Sequence, residues 1–396
     1  MKPSVYADHP TRARIDLSAF RHNVASVRSR IDVKTRIMAV VKANGYGHGM
    51  RTIAEAALNA GVDYLGVARI DEALQLRRIG IRSPILVFEL TRYDHFQKAV
   101  QENIDLTVSS IEGARELEGI SERMLQKAKV HIKVDTGMGR LGLDDNLAVP
   151  EIEAIARFRW LEVIGVYSHF ATSEDPDQTF ARKQLSIFNG IIDELCRRGI
   201  EFPHIHMANS GAIMALPEAQ FSMVRPGIML YGYPPGRGVD HDHPLNPVMT
   251  LESQVTFVKR VRKGATISYG RRYRTSSDTR IATIPIGYGD GYSRMLTGKA
   301  KVLIGGIRYP VAGTICMDHL MVDVGTESDV HEGDPVVLIG TQGRESITAW
   351  DVADWLGTIP YEVTCLITPR VPRIPENADL AGITSGRSIG TRDLLR

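Results

Sequence analysis

Short runs rich in Val, Ile and Leu alternate, as far as about residue 230, with longer stretches whose apolar positions recur every three or four residues. Runs of the first kind fall at 37–41, 64–68, 85–88, 106–108, 130–134, 163–168, 204–207 and 223–225, which predicts eight strands. The stretch 180–196 shows the second kind, since Leu185, Phe188, Ile191, Ile192 and Leu195 share one face of a helix. Gly61, Gly80 and Gly199 stand where helix C-caps are needed. A further helical segment, 18–31, precedes the first strand, with Asp16 or Ser18 available to cap it. Strands and helices in strict alternation fit a closed (β/α)8 barrel of TIM type better than an open doubly wound sheet, although periodicity alone leaves the open sheet standing.

The pattern changes at residues 233–247, YPPGRGVDHDHPLNP, whose Pro, Gly, Asp and His content marks a linker. Beyond it the helical period nearly vanishes and alternation takes over, at 254–261, 280–286, 302–304, 320–324 and 336–339. Gly305-Gly306 and Glu332-Gly333 read as turns, and one helix is expected at 347–356, capped by Ser346 or Thr348. The expected organisation is therefore an α/β barrel over 1–240 followed by a mainly β domain over 241–396.

Composition narrows the class. Lys and Arg total 48 against 46 Asp and Glu, so the net charge is 48 − 46 = +2, with no electrostatic footprint for nucleic acid or an anionic membrane. Hydrophobic residues at 43% and charged residues at 24% describe a folded chain, not a disordered one. No apolar run approaches the roughly 20 residues that cross a bilayer. The opening MKPSVYADHPTRARIDL carries charge where a signal peptide needs apolar residues. Cys196, Cys316 and Cys365 are few, far apart and without a CxxC, which argues against a disulfide framework or zinc site and for a cytoplasmic location.

In a barrel of this kind the site lies at the C-terminal ends of the strands, and polar residues gather there. Lys42 follows the apolar run Met38-Ala39-Val40-Val41, so its amine projects from a buried strand. Burial disfavours the ammonium, which suits a Schiff-base lysine, whereas a solitary strand-end lysine simply snorkels to water. Gly45, Gly47 and Gly49, interleaved with Tyr46, permit close backbone approach to a ligand. After the seventh strand, Asn209-Ser210-Gly211 opens a short helical run, and Gly227-Ile228 follows the eighth. These are the loops that hold phosphate in many barrels. Each is a plain turn when read alone, but a buried lysine opposite a phosphate cradle indicates pyridoxal 5′-phosphate. Arg225 falls where the cofactor's pyridine nitrogen is expected. A guanidinium only donates, so it leaves that nitrogen unprotonated and the ring a weak electron sink, which favours simple proton transfer over transamination or elimination. The competing reading of Arg225 is a salt-bridged core arginine.

The segments AVVKANGYGHG, KVDTGMGRLG, YSHFAT, HMANSGA, VRPGIMLYG, ISYG, IPIGYGDG, ICMDHLMVDV and PYEVTC, then RVPR, occur in the order found in alanine racemases, and the chain resembles that family along nearly its whole length. Gly45 stands where alanine is commoner, a change that carries no expected chemical consequence. The resemblance implies racemisation of alanine, supplying D-alanine for peptidoglycan, by two bases on opposite faces of the substrate. Lys42 is then the cofactor-bearing base, and Tyr269 the opposing base, delivered by the partner subunit of a head-to-tail homodimer. His169 with Arg225 relays to Tyr269, whose phenol is too weakly acidic unaided. Arg140 orients the substrate carboxylate and the cofactor phenolate. Tyr46, Ser210, Gly227, Ile228 and Tyr361 hold the phosphate beside Asn209. Met317, through its N–H, and Asp318 position the substrate, with Tyr288 at the entrance. Lys133 matches a position often carbamylated, where it steadies Arg140.

Other features have plainer readings. His204 and His206 alternate on one strand and could share a metal, but core or rim histidines account for them, and no metal is expected. His241, His243, Arg271, Arg272 and Arg274 read as solvated loop residues, Cys316 as packing, and Trp160, Trp350 and Trp355 as core or helix contacts. The alternatives are a racemase of serine or basic amino acids, which Tyr361 near the substrate methyl disfavours. A related decarboxylase carries a carboxylate where this chain has Arg225. A metal-dependent barrel hydrolase needs His-x-His after the first strand. A non-catalytic cofactor carrier leaves the β domain unexplained.

Overall fold

The computed structural model describes residues 9–238 and 244–378, which form two compact units. One comprises residues 19–45 and 50–246 and contains eight parallel strands: β1 Arg36–Val40, β2 Tyr64–Val67, β3 Ile85–Val87, β4 Asp105–Val108, β5 Ala128–Asp135, β6 Leu161–Tyr167, β7 His204–His206 and β8 Met223–Val224. Each pairs with the next, and β8 returns to β1 through Met223↔Arg36 and Val224↔Ile37, so the sheet closes. All eight expected strands are present, and closure removes the open-sheet alternative. The helix Thr179–Arg197 matches the expected 180–196, and Asp16 caps the helix Leu17–Arg28 by accepting from the Ser18 N–H at 2.9 Å and its hydroxyl at 2.6 Å.

Alternation along each strand sends every second side chain inward. The barrel interior is thereby divided. One sector is apolar, with Met38, Tyr64, Leu86 and Met223 packed together and against Phe88. The other is polar: Asp105 and Thr107 of β4, His131 and Lys133 of β5, Tyr167 of β6, and His204 and His206 of β7 are all buried.

The second unit takes the described residues 9–18, 46–49 and 247–378. Its larger sheet runs in the order Ile307–Pro310, Lys301–Ile304, Pro335–Gln342, Met249–Gln254, Arg12–Asp16, Arg373–Glu376, and a smaller one holds Phe257–Val261, Thr279–Ile284 and Leu320–Asp323. Three expectations change here. Residues 12–16, placed with the barrel by the expected 1–240 division, form an inner strand of this sheet, antiparallel to Met249–Gln254 and parallel to Arg373–Glu376. The single strand expected at 254–261 is two strands in different sheets. The helix Ala349–Leu356, capped by Thr348 with Asp351 in a reciprocal capping box, is followed by a second, Pro360–Leu366. His241 and His243 lie outside the described residues.

Candidate active site

In the barrel unit, Lys42 sits directly after β1, half-buried. The backbone then makes a left-handed turn, with φ of 52° at Ala43, 55° at Asn44, 62° at Gly45 and 50° at Tyr46. Such a run is strained for L residues, at roughly 1 kcal/mol or more for each non-glycine. Hydrogen bonds hold it in place: the Ala43 N–H donates to Glu72 Oε1 at 2.6 Å, and the Met50 N–H to Asn44 Oδ1 at 2.9 Å. Gly45 therefore does matter, because it relieves one position of the strain and a Cβ there would lie 3.3 Å from Ile53 Cγ1.

Lys133, 3% exposed, donates to the Leu141 carbonyl at 2.6 Å. Burial, with the charges of Arg140 and Arg225, pulls its amine down to about 8, so part of it is neutral at neutral pH. Asp135 ends β5 and gathers the N–H groups of Gly137, Met138, Gly139 and Arg140 at 2.8–3.1 Å, which fixes the loop carrying the exposed Arg140.

Arg225, after β8, is 4% exposed and its donors are well occupied. It donates to His206 Nδ1 at 2.7 Å, the Ser168 carbonyl at 2.8 Å, the Met207 carbonyl at 3.1 Å and His169 Nδ1 at 3.3 Å. Its guanidinium also lies 5.2 Å from the centre of the Tyr167 ring. Burial lowers Arg225 to about 10, and burial beside this cation keeps His169 and His206 well below the usual histidine range. Both imidazoles are thus neutral acceptors. Among the described residues Arg225 has no carboxylate within ion-pair distance, so it is not a salt-bridged core arginine. The Ser210 hydroxyl accepts from the Gly227 N–H at 2.9 Å, which ties the loop after β7 to the loop after β8 and brings Ile228 beside them. Asn209 caps the helix Ser210–Ala215, taking the Ala212 N–H at 3.0 Å.

The second unit carries the remaining residues. Tyr46 and Tyr361 face each other with ring centres 6.0 Å apart, and burial, then Tyr361 itself, pushes the Tyr46 hydroxyl up. Tyr269 lies 72% exposed on a turn that begins at Ser268, whose φ is 65°. The Thr314 hydroxyl donates to the Tyr269 carbonyl at 2.8 Å and fixes the turn's base. The N–H groups of Tyr288 and Gly289 donate to the carbonyls of Cys316 and Met317 at 3.1 and 2.9 Å, joining the Tyr288 turn to the Met317 loop. Arg370, which sequence reasoning missed, bridges Asp318 at 2.8 Å and Asp290 at 2.9 Å.

Within the barrel Arg225 bonds His169 and its charge acts on Lys133, while Ser210 and Gly227 tie the loops after β7 and β8, beside Asn209 and Ile228 in sequence. Within the second unit Tyr46 lies against Tyr361, the turn of Tyr288 bonds the backbone of Cys316 and Met317, and Asp318 engages Arg370. His204 and His206 are core histidines: burial lowers His204 to about 4, and among the described residues no group of three or more His, Cys, Asp and Glu is arranged to hold a metal. His131 and Tyr167 were also missed. The signal was the two-residue spacing of His131 and Lys133, which puts both inside the barrel.

The family model for the alanine racemase N-terminal domain matches residues 15–235, and that for the C-terminal domain matches 248–375. Alanine racemase from Desulforamulus reducens is 44% identical over 367 residues, covering 92% of this chain and 98% of that one. Among solved structures, alanine racemase of Clostridium difficile 630 superposes with a TM-score of 0.90 at 38% identity, covering 93% of this chain and 96% of that one. A histidine racemase from Leuconostoc mesenteroides subsp. sake superposes at 0.86 with 30% identity, covering 93% and 98%. Matching both domain models and these relatives along nearly its full length, the chain belongs to the alanine racemase family, isomerases that act on amino acids.

Proposed function

We propose that this racemase interconverts L- and D-alanine by two-base proton transfer with pyridoxal 5′-phosphate, in a homodimer, and so supplies D-alanine for peptidoglycan. The observation that carries the cofactor is Arg225. It is a buried cation with no carboxylate partner among the described residues, held by acceptors from β6 and β7. Such a group fits a ligand atom that accepts a hydrogen bond and holds no proton, as an unprotonated pyridine nitrogen does. The tied loops of Ser210 and Gly227 fit a phosphate, with Asn209, Ile228, Tyr46 and Tyr361 as further holders.

Linked to Lys42, pyridoxal phosphate supplies the electron sink that acidifies the substrate's Cα–H. The Lys42 amine moves the proton on one face of Cα and the Tyr269 phenol on the other. Arg225, which only donates, would leave the ring nitrogen of bound pyridoxal phosphate unprotonated and its electron sink weak, which favours return of the proton to Cα over other outcomes. His169, neutral and bonded through Nδ1 to Arg225, keeps its Nε2–H available to the opposing base. Arg140 binds the substrate carboxylate, helped by the Met317 N–H and Asp318, and Tyr288 lines the entrance. The partly neutral Lys133 amine can add carbon dioxide and release a proton, and the carbamate then pairs with Arg140. The exposure of Tyr269 supports its delivery to a second copy's barrel. Three cysteines, few and far apart along the chain and without a CxxC, accord with a reducing, cytoplasmic setting.

The test is a chiral assay with pyridoxal phosphate and L-alanine, L-serine, L-lysine, L-arginine and L-histidine in parallel. D-alanine is expected fastest, and carbon NMR after labelled bicarbonate is expected to show a carbamate on Lys133. Faster racemisation of another amino acid would overturn the substrate assignment, and no D-isomer with cofactor bound would overturn the reaction.

A further inference from the structure

Arg225 lacks a contacting counter-charge, yet the barrel interior holds a buried carboxylate, Asp105 at the start of β4, 2% exposed. The two are joined by two histidines, and the chemistry of the arginine settles the direction of every proton between them. A guanidinium only donates, so His206 Nδ1, 2.7 Å from Arg225, accepts, and the proton of His206 sits on Nε2. That Nε2 lies 2.9 Å from His131 Nδ1, which must accept in turn, leaving the His131 proton on its own Nε2. Burial holds both rings neutral, since it drives each well below the usual histidine range. Among the described residues the His131 Nε2–H has no hydrogen-bond partner, and it faces Asp105 Oδ2 at 3.9 Å, a separation at which the attraction is Coulombic. The same oxygen accepts from the Tyr64 hydroxyl at 2.7 Å. Lys129, Arg77 and Glu162 also act on this carboxylate through their charges.

The surroundings are shaped for these rings. Gly165 leaves the space that His131 fills, because a Cβ there would lie 2.2 Å from His131 Nδ1. The Tyr167 ring stacks on His206 at 4.8 Å between centres and 9° between planes, while its hydroxyl is fixed to Thr107 at 2.8 Å. An ordered file of donors thus runs from the C-terminal end of the barrel, where Arg225 lies, toward the N-terminal end, which in this fold usually serves stability alone.

We propose that Asp105 is the counter-charge of Arg225, coupled to it through His206 and His131, and that it acts as a positioning residue by fixing both histidine tautomers and the seat of the guanidinium. Its effect on catalysis rests on the function proposed above; its effect on the histidines does not.

The test uses the full-length protein, with and without pyridoxal phosphate, as wild type, Asp105→Asn and Tyr64→Phe. Nitrogen NMR of the imidazole rings is expected to show His206 and His131 neutral with the proton on Nε2 in the wild type. Either ring charged at neutral pH, or protonated on Nδ1, would overturn the proposal without any variant. In Asp105→Asn the ring signals of His206, which does not touch residue 105, are expected to move together with those of His131. The racemisation kcat is expected to fall roughly tenfold with KM unchanged, the scale of coupling through a packed network. Tyr64→Phe keeps the carboxylate and is expected to leave His206 in place. Unmoved His206 signals in Asp105→Asn sink the coupling. A wild type without racemase activity sinks the functional reading instead, and the ring signals still decide the coupling.

Discussion

The barrel and the β unit treat their reactive groups in opposite ways. The barrel buries Arg225, His206, His131 and Lys133 and supplies acceptors or donors to each of them from its own strands and loops. The β unit displays Tyr269, Met317 and Tyr288 on its surface, anchoring only their backbones. In the first region chemistry and stability depend on the same contacts, because a buried polar group is costly once its partner goes. In the second they are separable, and a reactive group can be changed with little consequence for folding.

Substitution of Tyr269 by Phe sharpens that contrast most. As the second base proposed above, Tyr269 is expected on removal of its hydroxyl to lower kcat about 10²–10⁴-fold. An exposed side chain contributes little to folding, so unfolding free energy is expected to stay within about 0.5 kcal/mol. Steady-state kinetics in both directions and urea unfolding measure the two together, and a large loss of stability would erase the distinction.

The barrel interior predicts a pH effect next in size. The native barrel histidines resist protonation, His204 down to about 4 and His131, His169 and His206 well below the usual range, all through burial first. Their stabilising contribution is present above the unfolded value near 6.5 and is lost as pH falls from there, because the unfolded chain takes up protons that the folded one refuses. Each such group costs up to about 1.4 kcal/mol per pH unit across that window. Asp105 runs the other way: burial raises it to about 6, so its contribution is lost as pH rises through that value, offsetting part of what the four histidines contribute. Urea unfolding at pH 7.5 and pH 5 is expected to show a net fall of a few kcal/mol at the lower pH, and a flat or rising profile contradicts the neutral interior.

The smallest effect concerns the strained turn after Lys42. Replacing Gly45 with Ala is expected to cost about 1 kcal/mol, given its φ of 62° and the nearby Ile53 side chain. Chemical denaturation checks this, and a stabilised variant would mean the turn is relaxed.

The eight barrel strands are legible in the sequence because each centres on a short run rich in β-branched or other apolar residues, bounded by helical patterns or glycine-bearing turns. What stays hidden is set by tertiary structure. Nothing in the composition of 249–261 marks the point at which the chain leaves one sheet for another, and Arg12–Asp16 reads as a lead-in to a helix because its partners lie far along the chain. The helix Pro360–Leu366 is too short to declare a period. At the site, Lys42, Arg225 and the loops of Ser210 and Gly227 are recognisable from strand-end position and residue type. His131 and His206 are not, since a buried histidine and an acceptor for a particular arginine look alike in a string of letters. Arg370 is hidden for the same reason as the missed strands: Asp290 and Asp318 meet it only after folding.

The strand Arg12–Asp16 orders events during synthesis. It lies between Met249–Gln254 and Arg373–Glu376, so it emerges from the ribosome long before either neighbour exists. The barrel's strands are complete by Val224, and its ring can close while this segment waits unpaired. The sheet that receives it gains its outer strand only once Glu376 has been made. Nascent chains of this protein therefore pass through a period in which the barrel's strands are made and this strand-forming segment has neither sheet neighbour, the interval in which a chaperone has the most to protect.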